Sequence, residues 1–464
     1  DTTWSRIEGG EPIGALLKQV EKEYDFTRPE ASIPDLLRAY KMLKELNDSH
    51  WRTIKLKDLK EVIANCAGMY MEVAASSPTT TPGAETNFRL EAISRSKADV
   101  VLKEINLKPL GLTQKLDSVL ALNEAEIVRL EAKIPESIGM TYPYWLEEEG
   151  TLGMYKVKDA KLIGKPETPR AVHAEFVIGF GDTTISYLRP VVYKYNDPVK
   201  GEVYRPFEIL PEVFATFDEK VHLFTTDEAQ EVTMTVKSGR EGVQGMVSIK
   251  APESWKIQPQ SVAISLEQAL EEQLVTFKVY PPSNQAEGYL TPVVQVGDKH
   301  YSHQLSEISY DHIPHQSVVT PSKAKVVRLS LQKKGQLIGY IQGAGDAVPT
   351  SLRQIGYTVV ELSNGDITAE KMANFDAVIL GIRAYNTNDR AKFFQKELHS
   401  YVERGGTLIA QYNTSRGVKV PQIGPYPIKL SRDRVTEENS EVRIINPQHE
   451  LMNYPNKITS ADFD

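Results

Sequence analysis

Hydrophobic residues recur along this chain at three spacings, each confined to its own stretch. In EPIGALLKQVEKEYDF, Ile13, Leu16, Leu17 and Val20 share one face of a 3.6-residue period. SIPDLLRAYKMLKELND opens with Ser32 as an N-cap and Pro34 in the first turn, then places Leu36, Leu37, Tyr40, Leu43 and Leu46 at the same period. A third run from about Leu56 to Ala67 carries Leu59, Val62, Ile63 and Cys66. These runs predict a helical segment over residues 1–75. Its apolar stripes must bury against one another or against a further domain.

The stretch SSPTTTPGAE, residues 76–85, breaks the helical period, and the spacing then drops to two. NFRLEAIS, ADVVLKEINL, KLDSVLAL, EIVRLEAKI and HAEFVIGFGDTTISYLRPVVYKYND alternate apolar and polar positions, which predicts an antiparallel Ig-like β-sandwich over 84–198. A second series, EVTMTVKSG, GMVSIKAP, SVAISL, QLVTFKVYPP and GYLTPVVQVGD, predicts another over 205–312. From residue 326 short apolar strands alternate with helices, ending on the long helix in NDRAKFFQKELHSYVERGG and the strand in TLIAQYN. That alternation predicts a parallel sheet covered on both faces, a flavodoxin-like or class I glutamine-amidotransferase-like α/β domain over 326–464. The chain runs out soon after the fourth strand, so this domain is expected to be incomplete, and a beginning in Asp-Thr-Thr-Trp reads as a fragment.

At 464 residues the chain exceeds what one core organises, in keeping with several domains. No run of about 18 apolar residues offers a membrane span. A net charge of −8 without basic blocks argues against nucleic acid and leaves sugars, peptides or small molecules as partners. The single cysteine, Cys66, allows no intrachain disulfide and no cysteine zinc cage, and its apolar neighbours favour a packed thiol.

Parallel sheets bind ligands outside the carboxyl ends of their strands, near the switch in strand order. Those ends supply Gly343, Gly345 and Asp346, then Arg383, Tyr385 and Asn386, then Tyr412, Asn413 and Thr414. The same residues also fit an ordinary polar rim, and Gly-Ala-Gly-Asp lacks the third glycine of a dinucleotide fingerprint. With no cysteine beyond residue 66 and no G-x-S-x-G, an amidotransferase-type nucleophile is excluded and no catalytic residue is assigned. His300, His303, His312 and His315 form two H-x-x-H pairs, but the first straddles both faces of a strand and the second lies around Pro314 in a linker, so no metal ligand is assigned. Glu147, Glu148 and Glu149 read as a solvated acidic turn. Tyr142, Tyr144 and Trp145 are candidates for stacking on sugar rings, or for core packing.

DTTWSRIEGGEPIGALL, ASIPDLLRAYKML, YPYWL, YKYNDPVKGEVYRPF, YDHIP, ILGIRAYNTNDR, GGTLIAQYNT and VTEENSEVRIINPQHELMNYPNKITSADF together resemble the C-terminal region of large bacterial PIG-L (LmbE-like) family deacetylases. The resemblance implies an upstream deacetylase domain on the same polypeptide, with zinc held there by an Ala-His-Pro-Asp-Asp-Glu type run that this chain lacks. It implies that this chain is a non-catalytic accessory region without its own cofactor, in a periplasmic or secreted enzyme acting on N-acetylated sugars of N-acetylglucosaminyl type. The stretch 212–310 is also similar to Ig-like domains found beside alpha-galactosidase catalytic domains. Two alternatives stay open: a carbohydrate-binding or scaffolding module, and ligand binding or turnover at the edge of the α/β domain.

Overall fold

The computed structural model describes residues 3–151, 153–437 and 439–463. Three helices open the chain: α1 (Glu11–Glu23), α2 (Ile33–Lys44) and α3 (Ser49–Cys66). α3 starts before Leu56 because the Asp48 carboxylate caps it, accepting the Trp51 N–H at 2.9 Å. It ends where Gly68 takes a left-handed φ of +59°. Residues Met69–Ala75 are then a strand, so the helical segment expected to reach residue 75 stops earlier. The apolar stripes of the helices do not await another domain: Ile13, Leu36, Leu43 and Ile63 lie in one continuous core with Val73, Leu90, Phe176 and Ile185 of the adjoining sheets. Polar ties fix that packing. Arg189 reaches both carboxylate oxygens of Glu61 at 2.9 Å, and Lys60 donates to the Ser186 carbonyl at 3.3 Å.

Two sheets complete this first unit. One has the order Gly201–Pro206, Val192–Asp197, Met69–Ala75, Glu85–Ser94, Ala125–Lys133. The other has the order Leu112–Val119, Val101–Lys108, His173–Phe180, Thr183–Pro190. The strands alternate buried and open positions as their period of two requires, most clearly along Glu85–Ser94. The stretch 76–85 is part of the body: Thr79–Thr80 pairs in parallel with Glu208–Ile209, and the buried Thr80 and Thr86 hydroxyls share a hydrogen bond of 2.9 Å.

The second unit is also a β-sandwich. Its sheets run Val213–Phe217, Gln230–Ser238, Glu272–Tyr280, Lys256–Gln258, and Val221–Phe224, Ala324–Arg328, Ala286–Val296, Val243–Lys250, Val262–Leu266. Phe224, Trp255 and Phe277 sit at its centre, the first two edge to face at 5.0 Å. Two expectations change here. The stretch around Pro314 is the loop of a hairpin, His303–Ile308 against Gln316–Pro321, and Ala324–Arg328 belongs to this sandwich, so residue 326 lies inside its last strand. Lys299 joins the first two units, meeting Glu136 of the first at 2.9 Å and the buried Glu212 carboxylate at 3.1 Å, which also accepts from Tyr301 at 2.8 Å and Arg240 at 2.7 Å.

The last unit is a four-stranded, all-parallel sheet ordered Thr358–Glu361, Leu337–Ile341, Ala377–Leu380, Leu408–Ala410. It is accompanied by α4 (Val348–Gln354), α5 (Ala369–Met372), α6 (Ala384–Thr387) and α7 (Ala391–Glu403). One apolar cluster, with Met372, Leu398 and Tyr401, packs helices against Val378 and Leu380, and another gathers Tyr340, Val359 and Ile379. The Gln354 side chain at the end of α4 seats this unit on the second sandwich. It accepts from the Leu223 N–H at 2.9 Å and donates to the Val221 carbonyl at 3.1 Å. One amide thus supplies the pairing that a neighbouring strand would give to an exposed sheet edge.

Candidate functional site

At the carboxyl edge of the parallel sheet the switch in strand order falls between the paired first and third strands, and here the crevice is filled by the chain itself. A Cβ on Gly343 would lie 2.1 Å from the Ile382 carbonyl oxygen, so only glycine fits between the two turns. Gly345 follows at φ +105°, and Asp346 turns inward. Its carboxylate accepts from the Tyr340 hydroxyl at 2.5 Å, the Ile382 N–H at 3.1 Å and the Val348 N–H at 3.0 Å. Burial alone would raise the Asp346 carboxyl, but those donors hold it below the usual range. Gly343, Gly345 and Asp346 therefore brace the switch point and cap α4.

The open space lies one strand over, above the third and fourth strands. The chain leaves Leu380 through Gly381 and Ile382 and reaches Arg383, whose φ of +57° is the left-handed conformation that a side chain disfavours. Neighbouring polar groups enforce it. Arg383 N–H donates to the Tyr412 carbonyl at 2.7 Å, and Tyr385 N–H to the buried Asn413 amide oxygen at 3.1 Å. The Asn386 amide accepts from Thr414 N–H at 2.9 Å and donates to the Thr414 and Arg416 carbonyls at 3.1 and 2.9 Å. Asn386 and Asn413 are thus structural clasps, and Tyr385 is fully buried, its hydroxyl pushed up to about 12 by burial. Of the residues expected at this rim, Arg383, Asn413, Tyr412 and Thr414 line a recess of about 740 Å³, closed on its far side by residues 431–436. Three further arginines, Arg416, Arg432 and Arg434, line it too. Sequence reasoning passed over Arg432 and Arg434 because Ser-Arg-Asp-Arg-Val lies in a stretch without helical or strand period. Its signal was two arginines flanking a single acid.

The aromatic candidates separate. Tyr142 packs against a small cluster of Leu210, Phe214 and Val319, and burial pushes its hydroxyl up. Tyr144 spends its hydroxyl on the Lys165 carbonyl at 3.0 Å and meets Trp145 edge to face at 4.8 Å. Trp145 lines a recess of about 560 Å³, together with Leu146, Met154 and Tyr155 and with Glu147, Glu148 and Glu149. Thr320, Pro321 and Lys323 close it from the second unit. Lys158 pairs with Glu147 at 2.7 Å and Lys323 with Glu149 at 2.8 Å.

His300 lies on Lys299–Tyr301, His303 starts the hairpin strand His303–Ile308, and His312 and His315 both sit in the hairpin loop ahead of Gln316–Pro321. The first formal H-x-x-H pair is thus split between two strands, and the second lies within one loop. Among the described residues no group of three or more His, Cys, Asp or Glu is placed to hold a metal ion. Cys66 is buried and its thiol pushed up by burial, the direction of a packed thiol. Among the described residues no helix is long and apolar enough to cross a membrane.

No family model and no curated protein matches the chain. Among solved structures it is similar to WR4, a C. elegans MSP family member, at 9% identity over 26% of this chain and 100% of that one, with a TM-score of 0.16. It is similar to native Escherichia coli alpha-2-macroglobulin at 9% identity over 56% of this chain and 17% of that one, with a TM-score of 0.19. It is also similar to a GH2 beta-galacturonidase from Eisenbergiella tayi at 13% identity over 71% of this chain and 51% of that one, with a TM-score of 0.17.

Proposed function

We propose that this chain is a non-catalytic accessory region of a zinc-dependent PIG-L type de-N-acetylase acting on N-acetylated sugars, and that its first two units, read as Ig-like sandwiches, hold a sugar-bearing ligand beside the catalytic domain. The observation that carries the reading is the Trp145 recess, where an indole and a phenol ring share one concavity with three carboxylates. Aromatic faces stack on the C–H faces of sugar rings, and carboxylate oxygens accept from ring hydroxyls, so the two together suit a neutral sugar. The ties through Glu212, Lys299 and Gln354 support a scaffolding part, since they hold the units in one arrangement. The parallel-sheet unit is read as flavodoxin-like, and export to the periplasm or medium rests on the sequence resemblance alone.

Two measurements test this. Titration with N-acetylglucosamine oligomers, followed by tryptophan fluorescence, should saturate for the chain and be lost in Trp145→Ala; unchanged binding in that variant removes the recess from the reading. Hydrolysis of N-acetylglucosamine derivatives, with and without added zinc, should appear only when an N-terminal PIG-L type domain is fused ahead of residue 1. Turnover by the present chain alone would overturn the accessory role.

A further inference from the structure

We propose that the arginine-lined recess at the carboxyl edge of the parallel sheet binds a polyanionic small molecule, a phosphorylated compound presenting at least two adjacent anionic groups. This goes beyond the sugar reading and rests on a different unit.

Charge carries the first step. The chain is net negative at −8, yet Arg383, Arg416, Arg432 and Arg434 converge on one cavity, with Asp433 the only acidic residue lining it among the described residues. Among the described residues none of the four has a carboxylate within ion-pair distance, whereas other cations of the same unit do: Arg353 with Glu361, Lys371 with Asp366 and Lys419 with Asp389. The carboxylate of Asp433 receives the Ser431 hydroxyl at 2.9 Å. Unpaired guanidinium groups facing one cavity repel one another and create a local positive field, which an incoming anion relieves.

Backbone geometry carries the second. Arg383 occupies a left-handed conformation that glycine would take without strain, and the Asn386 and Asn413 clasps hold it there. Such strain in a non-glycine residue persists where its surroundings over-determine it, and it concentrates at ligand sites. Here the constrained backbone holds a charged side chain on the wall of the recess.

Chemistry and size name the ligand class. A guanidinium presents a planar fork of donors that matches phosphate or carboxylate oxygens two at a time. One small anion uses one or two such forks; four forks around about 740 Å³ call for a larger ligand with several oxyanions. That volume falls within the roughly 300–1,000 Å³ of small-molecule sites. The exposed ring of Tyr412 gives the uncharged part of such a ligand a face to stack on, and the Ser415 hydroxyl a donor to meet, while the Thr414 hydroxyl is spent on the Arg416 carbonyl at 2.9 Å.

Calorimetric titration of the full chain with pyrophosphate, inorganic phosphate and citrate, at low and at physiological salt, tests the assignment. Pyrophosphate should bind saturably, about tenfold or more tighter than phosphate, and weaken with salt as a charge-driven contact does. The double variant Arg432→Ala/Arg434→Ala, and separately Arg383→Ala, should each lower its affinity about tenfold or more without changing the melting temperature, while Lys57→Ala on α3 leaves it unchanged. The absence of saturable pyrophosphate binding, or equal binding by the double variant, overturns the site. Citrate binding tighter than pyrophosphate overturns the phosphate assignment. Loss of pyrophosphate binding leaves the Trp145 titration untouched, so the two readings fail separately.

Discussion

Glu208 and Glu212 lie within one turn of chain and respond to protons in opposite directions. Glu208 is buried with its carboxyl beside the Ser317 hydroxyl at 2.5 Å, and burial outweighs that bond and the charges of Arg170 and Arg205, raising its pKa. Burial would raise Glu212 as well, but Tyr301, Lys299 and Arg240 together bring it below the ordinary value, and Lys194, Tyr70 and Tyr204 do the same for Glu72. Stability from Glu212 and Glu72 is therefore present above the unfolded glutamate value of about 4.3 and is lost as pH falls through their lower folded values. Glu208 contributes fully below about 4.3, and its contribution is lost as pH rises through its raised folded value. Glu208→Gln, which keeps a polar group for Ser317 and removes the titration, should accordingly melt higher than the parent near neutral pH, with the gain shrinking toward about pH 4. Thermal unfolding at both pH values checks it; an equal shift at both would assign the effect to packing. None of this was legible in the sequence, because Glu208 meets Ser317 across 109 positions and Glu212 meets Tyr301 across 89.

At the scale of elements, legibility followed local periodicity. Strands such as Glu85–Ser94 and Gln230–Ser238 show the alternate burial their spacing announces, and the helix in NDRAKFFQKELHSYVERGG closes where its glycines stand. Elements whose reason lies elsewhere in the chain were misread. Met69–Ala75 falls inside the helical segment expected over 1–75 because its apolar residues continue those of α3 and only Gly68 divides them. Val221–Phe224 and Ala324–Arg328 pair in parallel across about a hundred residues, beyond any local pattern. The free side of Val221–Phe224 makes a prediction of its own. Gln354→Ala removes two hydrogen bonds that cover that edge and should cost about 1–3 kcal/mol in the contact between α4 and the second sandwich. Amide exchange at Leu223 should quicken in the variant; unchanged protection there would mean that the helix is seated by apolar contacts alone.

Across the whole molecule the apolar side chains gather into separate clusters, one for the helices and first sandwich, one for the second sandwich, two within the parallel-sheet unit and a small one of Leu210, Phe214 and Val319. Composition signalled several domains, and the order of helical, sandwich and parallel-sheet character could be read from spacing. The recesses could not. Each is closed by residues distant in sequence, Lys323 across from Trp145 and Arg432 across from Arg383, so each exists only once the chain is folded. The same non-local logic governs how the chain can be shortened. Judged by composition, the Ser-Thr-Pro-Gly tract at 76–85 invites a cut, yet Thr80 and Thr81 are buried there and the helices ahead of it share an interior with Leu90 and Phe176. A shortened version beginning at residue 77 should leave that interior open to water and be recovered as insoluble aggregate, checked by comparing soluble yields with the intact chain. The place in this protein that looks most dispensable is where a truncation does the greatest harm.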